Sequence, residues 1–433
     1  MTDSTPALPP IQDEPESRPG GIPLYVWVLI AVALAIPAGM FWSGATSLEL
    51  LPKLIIRALN ALAAPLVVLA ILHAIVTNEI RGRQGALMML YYLINTLVAM
   101  TIGLVLTNLI KPGVGANFVD IGQAPAVPPH KTVTEIVTEL IPRSIGDAFA
   151  TNNLSQLVLL TLALGIGLAK IRDEQRKRDD RTYETAVNLL SLGFELMMKV
   201  LLWVVALVPL AVFGVVASTV AQKEGVAVFA SLVWLIIVVL LGLGLQNLWY
   251  LTVLLVVRGM SPLRFLKGSL DVMASTISTA STAATIPITL KALTGKLGVS
   301  RESSQLAACI GTNFNNDGTA LYQATAVLFM AQAMDIPLGL GDQLLVVATT
   351  LLASVGAGGI PSGSFVTLPL IFAAVRLPAD KIPVLLTIDW FLDRCRTTSN
   401  VLGDMTVAVL LDRTAGGSGA PERFESGAPA VVD

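Results

Sequence analysis

Five polar and charged side chains recur at intervals of three or four residues in one segment near the end of the chain. They are Asp389, Asp393, Arg396, Asn400 and Asp404. Such intervals place side chains on one face of an α-helix. Carboxylate and amide oxygens bind hard cations, and a guanidinium binds a carboxylate through two parallel hydrogen bonds. The stripe therefore indicates a site for charged ligands.

The stripe lies in a chain that is otherwise apolar. Of its 433 residues, 54% are hydrophobic and 13% charged, and the mean hydropathy is +0.74. Soluble domains contain about 25% charged residues, so the composition predicts a polytopic membrane protein. Each charge at the bilayer centre costs roughly 2.5–3.5 kcal/mol, so we expect the stripe to face protein or a water-filled cavity.

The sequence predicts membrane spans in the first two thirds of the chain. Apolar segments of sufficient length lie near 25–43, 51–77, 85–110, 154–171, 195–220 and 226–257. Lysine and arginine concentrate after the second, fourth and sixth of them, which predicts that these connections and the N-terminus are cytoplasmic. Tyr91, Trp249 and Tyr250 lie near span ends and are expected to anchor the helices at the membrane interface.

Two interrupted segments mark the last third of the chain. Residues 268–290 are crowded with serine and threonine, and residues 343–374 are broken by glycine, proline and serine. Each is followed by a span with a polar middle, at 303–333 and 382–412. Matching interrupted segments point to the binding site of a secondary transporter. Broken backbone at membrane depth is tolerated only where it is buried or lines a cavity.

Three motifs carry a family resemblance. An Asn-Asn-Asp-Gly-Thr break begins at Asn315, Gly359-Ile360-Pro361 lies in the second interrupted segment, and the third motif is residues 389–404. Together they resemble the glutamate/aspartate transporter family, the dicarboxylate/amino acid:cation symporters. The resemblance covers roughly residues 25–412, nearly all of the chain outside its polar ends.

The resemblance implies an all-α polytopic fold of eight transmembrane helices and two re-entrant helical hairpins, built from inverted repeats and assembled as a homotrimer. Residues 25–257 would form mainly the scaffold, with the third and sixth spans packing on an elevator-like transport core at 258–412. Residues 1–24 and 413–433 would be disordered cytoplasmic tails. The expected location is the inner cell membrane, with many passes through the lipid bilayer.

The resemblance also assigns the substrate contacts. Arg396 would bind the side-chain carboxylate of an acidic amino acid, and Asp393 would bind its ammonium. The full set is Ser281, Thr282, Thr319, Gly359, Ile360, Asp393, Arg396, Thr397 and Asn400. Arg394 would balance the acidic residues during the transport cycle.

A second set is implied as ligands of co-transported sodium ions, and no cofactor is expected. Its members are Tyr92, Asn95, Thr96, Gly311, Asn313, Asn315, Asn316, Asp317, Ser354, Asn400 and Asp404. Accumulating an anion against a negative-inside potential costs about 2.3 kcal/mol per charge per 100 mV, so more than one cation is expected. The alternative is that Asp317 or Asp404 is protonated and only structural.

The sequence departs from the family pattern at several positions. Asn316 stands where the family has methionine, and Asn95 where it commonly has threonine. The usual serine run of the first hairpin is Ser281-Thr282-Ala283. Ser364 replaces a glycine of the second hairpin, where its side chain would narrow the substrate cavity.

The sequence also bears on several other functions. Within the family, the alternatives are a proton-coupled carrier, a C4-dicarboxylate carrier, which would not need Asp393, and a neutral amino acid carrier, which would not need Arg396. A passive anion channel need not keep a charge pair, and a serine hydrolase would need a nucleophile-elbow motif that the sequence lacks. The sequence contains no phosphate-binding loop of the kind that an ATPase would need, and it has no excess of basic residues for binding nucleic acid. No enzyme activity is expected.

Overall fold

A computed structural model describes most of the chain. The described residues are 24–42, 44–77, 82–116, 138, 141–151, 154–221, 225–356, 363–378 and 382–414. Every regular element within them is a helix, which confirms the predicted all-helical class. Gly359, Ile360 and most of both predicted tails lie outside the described residues.

The first eight helices form the apolar part of the molecule. They are α1 (Leu24–Phe41), α2 (Leu50–Thr77), α3 (Gly82–Ile110), α4 (Ile145–Ala150), α5 (Leu154–Lys177), α6 (Thr182–Val205), α7 (Val208–Val220) and α8 (Gly225–Val253). A 3₁₀ turn, Ala45–Glu49, leads into α2, and a π-helical turn, Leu254–Arg258, ends α8.

Among the described residues, five helical stretches are long and apolar enough to cross a membrane. They are Leu24–Phe41, Ala45–Thr77, Arg83–Ile110, Thr182–Val220 and Phe229–Arg258. These stretches overlap the first, second, third, fifth and sixth predicted spans, and α5 covers the fourth. The helix that contains the fifth predicted span begins at Thr182, before residue 195, and its first turns are more polar, with Glu184 and Asn188.

The remaining helices contain the predicted interruptions. They are α9 (Pro262–Thr279), α10 (Thr282–Lys291), α11 (Arg301–Phe314), α12 (Asp317–Ala333), α13 (Leu340–Gly356), α14 (Ser364–Ala374) and α15 (Pro383–Thr414). The helix pairs α9–α10 and α13–α14 pack on each other as two hairpins. The break between α11 and α12 falls at Asn315–Asn316, as predicted.

The first hairpin turns through two residues with distinct roles. Ala280 has a left-handed backbone with φ of 52°, which ends α9. The Ser281 side chain accepts a hydrogen bond from the Ala284 backbone N–H at 3.2 Å and caps α10. A capping serine satisfies one of the free N–H groups at a helix start. Sequence and geometry therefore agree on where this segment breaks.

The last helix, α15, is the central element of the site. Its 32 residues extend about 48 Å, enough to cross a bilayer. It packs against α3, α8, α9, α11 and α12. Arg396 is fully buried, and Asp389, Asn400 and Asp404 are at most 3% exposed. The prediction that the polar stripe faces protein is therefore confirmed.

Candidate functional site

The guanidinium of Arg396 lies between two carboxylates of its own helix. Its Nη1 is 2.8 Å from Asp389 Oδ1, and its Nη2 is 2.7 Å from Asp393 Oδ1. The ring of Tyr322 on α12 lies beneath it, with 4.1 Å between Arg396 Cζ and the ring centroid. A guanidinium over an aromatic face is attracted by the ring quadrupole. These contacts fix the cation in one place and orientation.

The two carboxylates differ in accessibility. The Asp389 side chain is 2% exposed, whereas that of Asp393 is 19% exposed. Arg396 Nε has no hydrogen-bond partner among the described residues. The group carries one more carboxylate than cations, and Asp393 is the partner that a ligand can reach. Asp389 lies on the predicted stripe but was missing from the predicted site, because spacing alone does not tell which carboxylates contact Arg396.

Asp317, the first residue of α12, is held by two other helices. Thr96 Oγ1 on α3 donates to its Oδ1 at 2.6 Å, and Tyr250 Oη on α8 donates to its Oδ2 at 2.6 Å. Asp317 is completely buried. The interpretation of Tyr250 as an interface anchor was therefore wrong, because α8 packs on α3, α12 and α15 and turns this residue inwards.

Asp404 and Asn315 form a neighbouring polar pair between α15 and the α11–α12 break. Asn315 Nδ2 donates to Asp404 Oδ1 at 2.8 Å and to the Asn400 carbonyl at 3.0 Å. Asn315 Oδ1 is buried and has no hydrogen-bond partner among the described residues. Buried polar atoms are normally paired, and unpaired oxygens beside a carboxylate suit a hard cation. The donor set is therefore compatible with a sodium ion.

Asn400 links this pair to the rest of the site. Its Oδ1 accepts from the Gly318 N–H at 2.8 Å, and its Nδ2 lies 3.2 Å from Thr319 Oγ1 and 3.4 Å from Asn316 Oδ1. Asn316 Nδ2 in turn donates to the Ser354 carbonyl at 3.1 Å, which connects α12 to the second hairpin. The structure thus brings these three predicted side chains and the Ser354 backbone together.

Other predicted residues lie at the margins of the site. Asn95 Oδ1 accepts from Trp249 Nε1 at 3.1 Å, so its side chain is engaged by α8 and not by Asp317. Tyr92 donates to the Ala307 carbonyl at 2.9 Å. Thr397 is 3.5 Å from the Ala280 carbonyl, at the tip of the first hairpin where Thr282 is also buried. Asn313 is partly buried on α11.

Arg394 points away from the stripe. Its Nη1 donates to the Trp390 carbonyl at 2.5 Å, and its Cζ lies 4.9 Å from the ring centroid of Tyr25 on α1. Tyr25 is stacked on Trp390 with 6.0 Å between ring centroids. The residue expected to balance charge is therefore part of a contact between the first and last helices.

We expect Gly311→Ala to destabilise the protein, because the helices around Asp404 are in very close contact. A Cβ atom at Gly311 would lie 2.1 Å from Asp404 Oδ1 and 2.6 Å from Tyr92 Oη. Overpacking of this kind costs about 1–3 kcal/mol, to be measured as a lower thermal unfolding temperature in detergent. Gly167→Ala is the matched control, since a Cβ there meets nothing within 4 Å. Equal unfolding temperatures for the two variants would contradict the close packing.

The fold and the site together define a class of protein. Several apolar helices surround a buried constellation of carboxylates, amides and one guanidinium on broken helices, as in a membrane transporter that binds charged solutes. The chain belongs to the sodium:dicarboxylate symporter family, whose sequence model matches residues 24–414. The resemblance inferred from the motifs is thereby confirmed.

Individual relatives differ in the substrates that their names state. The chain is 30% identical to a C4-dicarboxylate transport protein of Brucella anthropi, over 90% of this chain and 88% of the relative. It is 26% identical to excitatory amino acid transporter 3 of Oryctolagus cuniculus, over 88% and 83%. It is 30% identical to neutral amino acid transporter B(0) of Bos taurus, over 92% and 81%. Overall sequence identity therefore does not indicate which substrate this protein carries, and the evidence must come from the residues of the site.

Proposed function

We propose that this protein is a sodium-coupled symporter of acidic amino acids, aspartate or glutamate, that works as a homotrimer by an elevator motion of its last third. The observation that carries the proposal is the Arg396 guanidinium held between a buried Asp389 and a partly exposed Asp393. This arrangement offers a cation and an anion, adjacent to each other, to a ligand that has both charges.

An acidic amino acid can replace the internal ion pair group by group. Its ammonium would take the carboxylate of Asp393, and its side-chain carboxylate would take the Nε–Nη2 edge of Arg396. Nε lacks a hydrogen-bond partner among the described residues, and Nη1 keeps its ion-pair contact with Asp389 at 2.8 Å. A guanidinium edge with two parallel N–H groups matches a carboxylate. The ligand therefore restores each contact that its entry breaks.

The same geometry disfavours the other substrate classes of the family. A C4-dicarboxylate has no ammonium and would bring a carboxylate up to Asp393. A neutral amino acid has no second carboxylate and would leave the Nε–Nη2 edge of the fully buried Arg396 without its ligand. A buried hydrogen-bonding group left unpaired costs about 1–3 kcal/mol, and more when it is charged. Arg396 and Asp393 thus support an acidic amino acid over both alternatives.

Cation coupling is supported by the oxygen atoms around the α11–α12 break. Asp317, Asp404 and the unpaired Asn315 Oδ1 are buried close to one another. An anionic substrate adds negative charge to a site already rich in carboxylates, and hard cations with oxygen ligands would neutralise it. We propose sodium as that ion, and a proton-coupled cycle is the alternative that the following assay distinguishes.

The ion-replacement assay tests the proposal directly. Purified protein is reconstituted into vesicles with an inward sodium gradient, and uptake of labelled aspartate is followed. We expect uptake to fall to background when external sodium is replaced by choline, because the cation sites then stay empty. Uptake sustained by a proton gradient alone would contradict sodium coupling. Protein-free vesicles provide the background.

A competition panel in the same vesicles tests the substrate. Unlabelled aspartate and glutamate should compete with labelled aspartate, whereas succinate and serine should compete at least about 10-fold more weakly, the equivalent of one lost hydrogen bond of about 1.4 kcal/mol. Strong competition by succinate would instead support a C4-dicarboxylate carrier, which is what the relative in Brucella anthropi is named.

A further inference from the structure

Tyr25, Trp390 and Arg394 form a contact between the predicted scaffold and the predicted transport core. Arg394 Cζ lies 4.9 Å from the ring centroid of Tyr25, and the Tyr25 and Trp390 rings are stacked with 6.0 Å between centroids. Tyr25 is the second residue of α1, whereas Trp390 and Arg394 belong to α15. All three side chains are partly buried. The three residues, named here the Tyr25 contact, thus join two parts that the proposed elevator motion moves past each other.

The Tyr25 contact joins the end of α1 to the middle of α15. The N-terminus is predicted to be cytoplasmic, so Tyr25 lies at the inner end of the first span. The inner end of α15 is marked by Asp412, whose Oδ2 lies 3.8 Å from Nη2 of Arg258, in a connection that is also predicted to be cytoplasmic. Asp412 comes 18 residues after Arg394, which is about 27 Å along a helix. Measured along α15, the core therefore extends well beyond the inner end of α1.

We propose that the Tyr25 contact stabilises an inward position of the core, in which the charged site is displaced towards the cytoplasm. The inference rests on the elevator motion of the proposed function, but not on the choice of aspartate or of sodium. Tyr25 belongs to the scaffold, so an outward movement of α15 separates its ring from Arg394 and Trp390. A contact that exists in only one of two states shifts the equilibrium towards that state.

The movement that would break the Tyr25 contact can be measured along α1. Ile36 comes 11 residues after Tyr25, which is just over three helical turns, so it lies on nearly the same face and about 17 Å nearer to the outer end. An outward movement of this size would bring Trp390 level with Ile36. Loss of a cation over an aromatic ring is expected to change the ratio of the two positions about 2- to 30-fold.

A pair of cysteines can report the outward position while leaving Tyr25 and Arg394 in place. Cys309 and Cys395, the two cysteines of the chain, are first replaced with serine, and Ile36→Cys and Trp390→Cys are then introduced. The reporter protein is treated with a short bifunctional thiol reagent in vesicles without sodium or aspartate. Crosslinking is followed as the loss of free thiols. Because the two cysteines meet only after the outward movement, the crosslinking rate measures how often the core is in the outward position.

The test compares Tyr25→Leu with Tyr25→Phe in this reporter protein. Leucine removes the aromatic face below Arg394, whereas phenylalanine keeps it. We expect Tyr25→Leu to raise the crosslinking rate at least about threefold, and Tyr25→Phe to leave it unchanged. Arg394→Gln removes the cation and should raise the rate as Tyr25→Leu does. Trp27→Leu, at an exposed position of the same helix, is the control and should leave the rate unchanged.

The outcomes separate this inference from the proposed function. If the reporter crosslinks but Tyr25→Leu leaves its rate unchanged, the role of the Tyr25 contact is overturned and the elevator motion stands. Should Tyr25→Leu not fold, Arg394→Gln decides the question, and an unchanged rate in that variant would overturn the inference. If the reporter crosslinks in none of the variants, the elevator motion fails and this inference fails with it.

Discussion

Replacing Arg396 with alanine is expected to abolish uptake of aspartate and glutamate. The guanidinium is the only cation in contact with Asp389 and Asp393 among the described residues, and the change removes the proposed partner of the substrate carboxylate. Losing one partner of a buried, hydrogen-bonded charge pair costs about 2–5 kcal/mol or more, which is about 30-fold or more in affinity. Uptake of labelled aspartate into vesicles with an inward sodium gradient measures the loss.

A second variant separates binding from folding. Arg396→Ala alone leaves the 2%-exposed Asp389 carboxylate buried without its cation, which is itself destabilising. Combining it with Asp389→Asn removes that charge while keeping the shape of the side chain. We expect the double variant to unfold at a higher temperature than Arg396→Ala and still not to transport aspartate. Aspartate uptake at the original level by a folded double variant would contradict the role of Arg396.

Replacing Asp317 with asparagine is expected to remove sodium-driven uptake while leaving the fold largely intact. Asparagine keeps the size of the side chain and its acceptor oxygen but loses the charge. It also places an N–H₂ group where either Thr96 or Tyr250 donates at 2.6 Å. Loss of a carboxylate ligand weakens binding of a hard cation, and we expect at least about a 100-fold loss, equal to about 2.7 kcal/mol. The dependence of uptake on sodium concentration measures it.

Tyr250→Phe is the matched comparison for Asp317→Asn. It removes one hydrogen bond to the same carboxylate but keeps its charge and the packing of the ring. A hydrogen bond to a charged group contributes about 1.5–3 kcal/mol. We therefore expect transport to be retained but to need a higher sodium concentration for half-maximal uptake. If Asp317→Asn transports normally with unchanged sodium dependence, the carboxylate is structural, and the protonated alternative for Asp317 is correct.

Much of the site was predictable because its charged residues lie in an otherwise apolar segment. Charges at helical intervals in an apolar segment have one physical explanation, an inward-facing stripe, and α15 has that stripe buried. The helix break at Asn315–Asn316 and the turn at Ser281 were also predictable, since asparagine, glycine and capping serine favour non-helical backbone. Local chemistry therefore determined where the helices end.

Partners from distant parts of the chain were not predictable in the same way. Tyr250 lies 67 positions before Asp317, and only the packing of α8 on α12 brings them together. The sequence did contain one indication. Gln246 and Asn247 lie on the same face of the helix as Tyr250 and make that end of an apolar helix polar. The engagement of Asn95 by Trp249 likewise depends on which faces of α3 and α8 meet.

The excess of carboxylates has an electrical consequence for the proposed cycle. Asp317, Asp389, Asp393 and Asp404 outnumber Arg394 and Arg396, so these six side chains have a formal charge of −2 when no ligand is bound. Moving a unit charge through the field is worth about 2.3 kcal/mol per 100 mV. If these six side chains cross the membrane as the proposed elevator motion requires, a negative-inside potential would drive the empty site outwards, and bound cations would remove that force. The buried aspartates would then act as gating charges, and the membrane potential would set the speed of the return step.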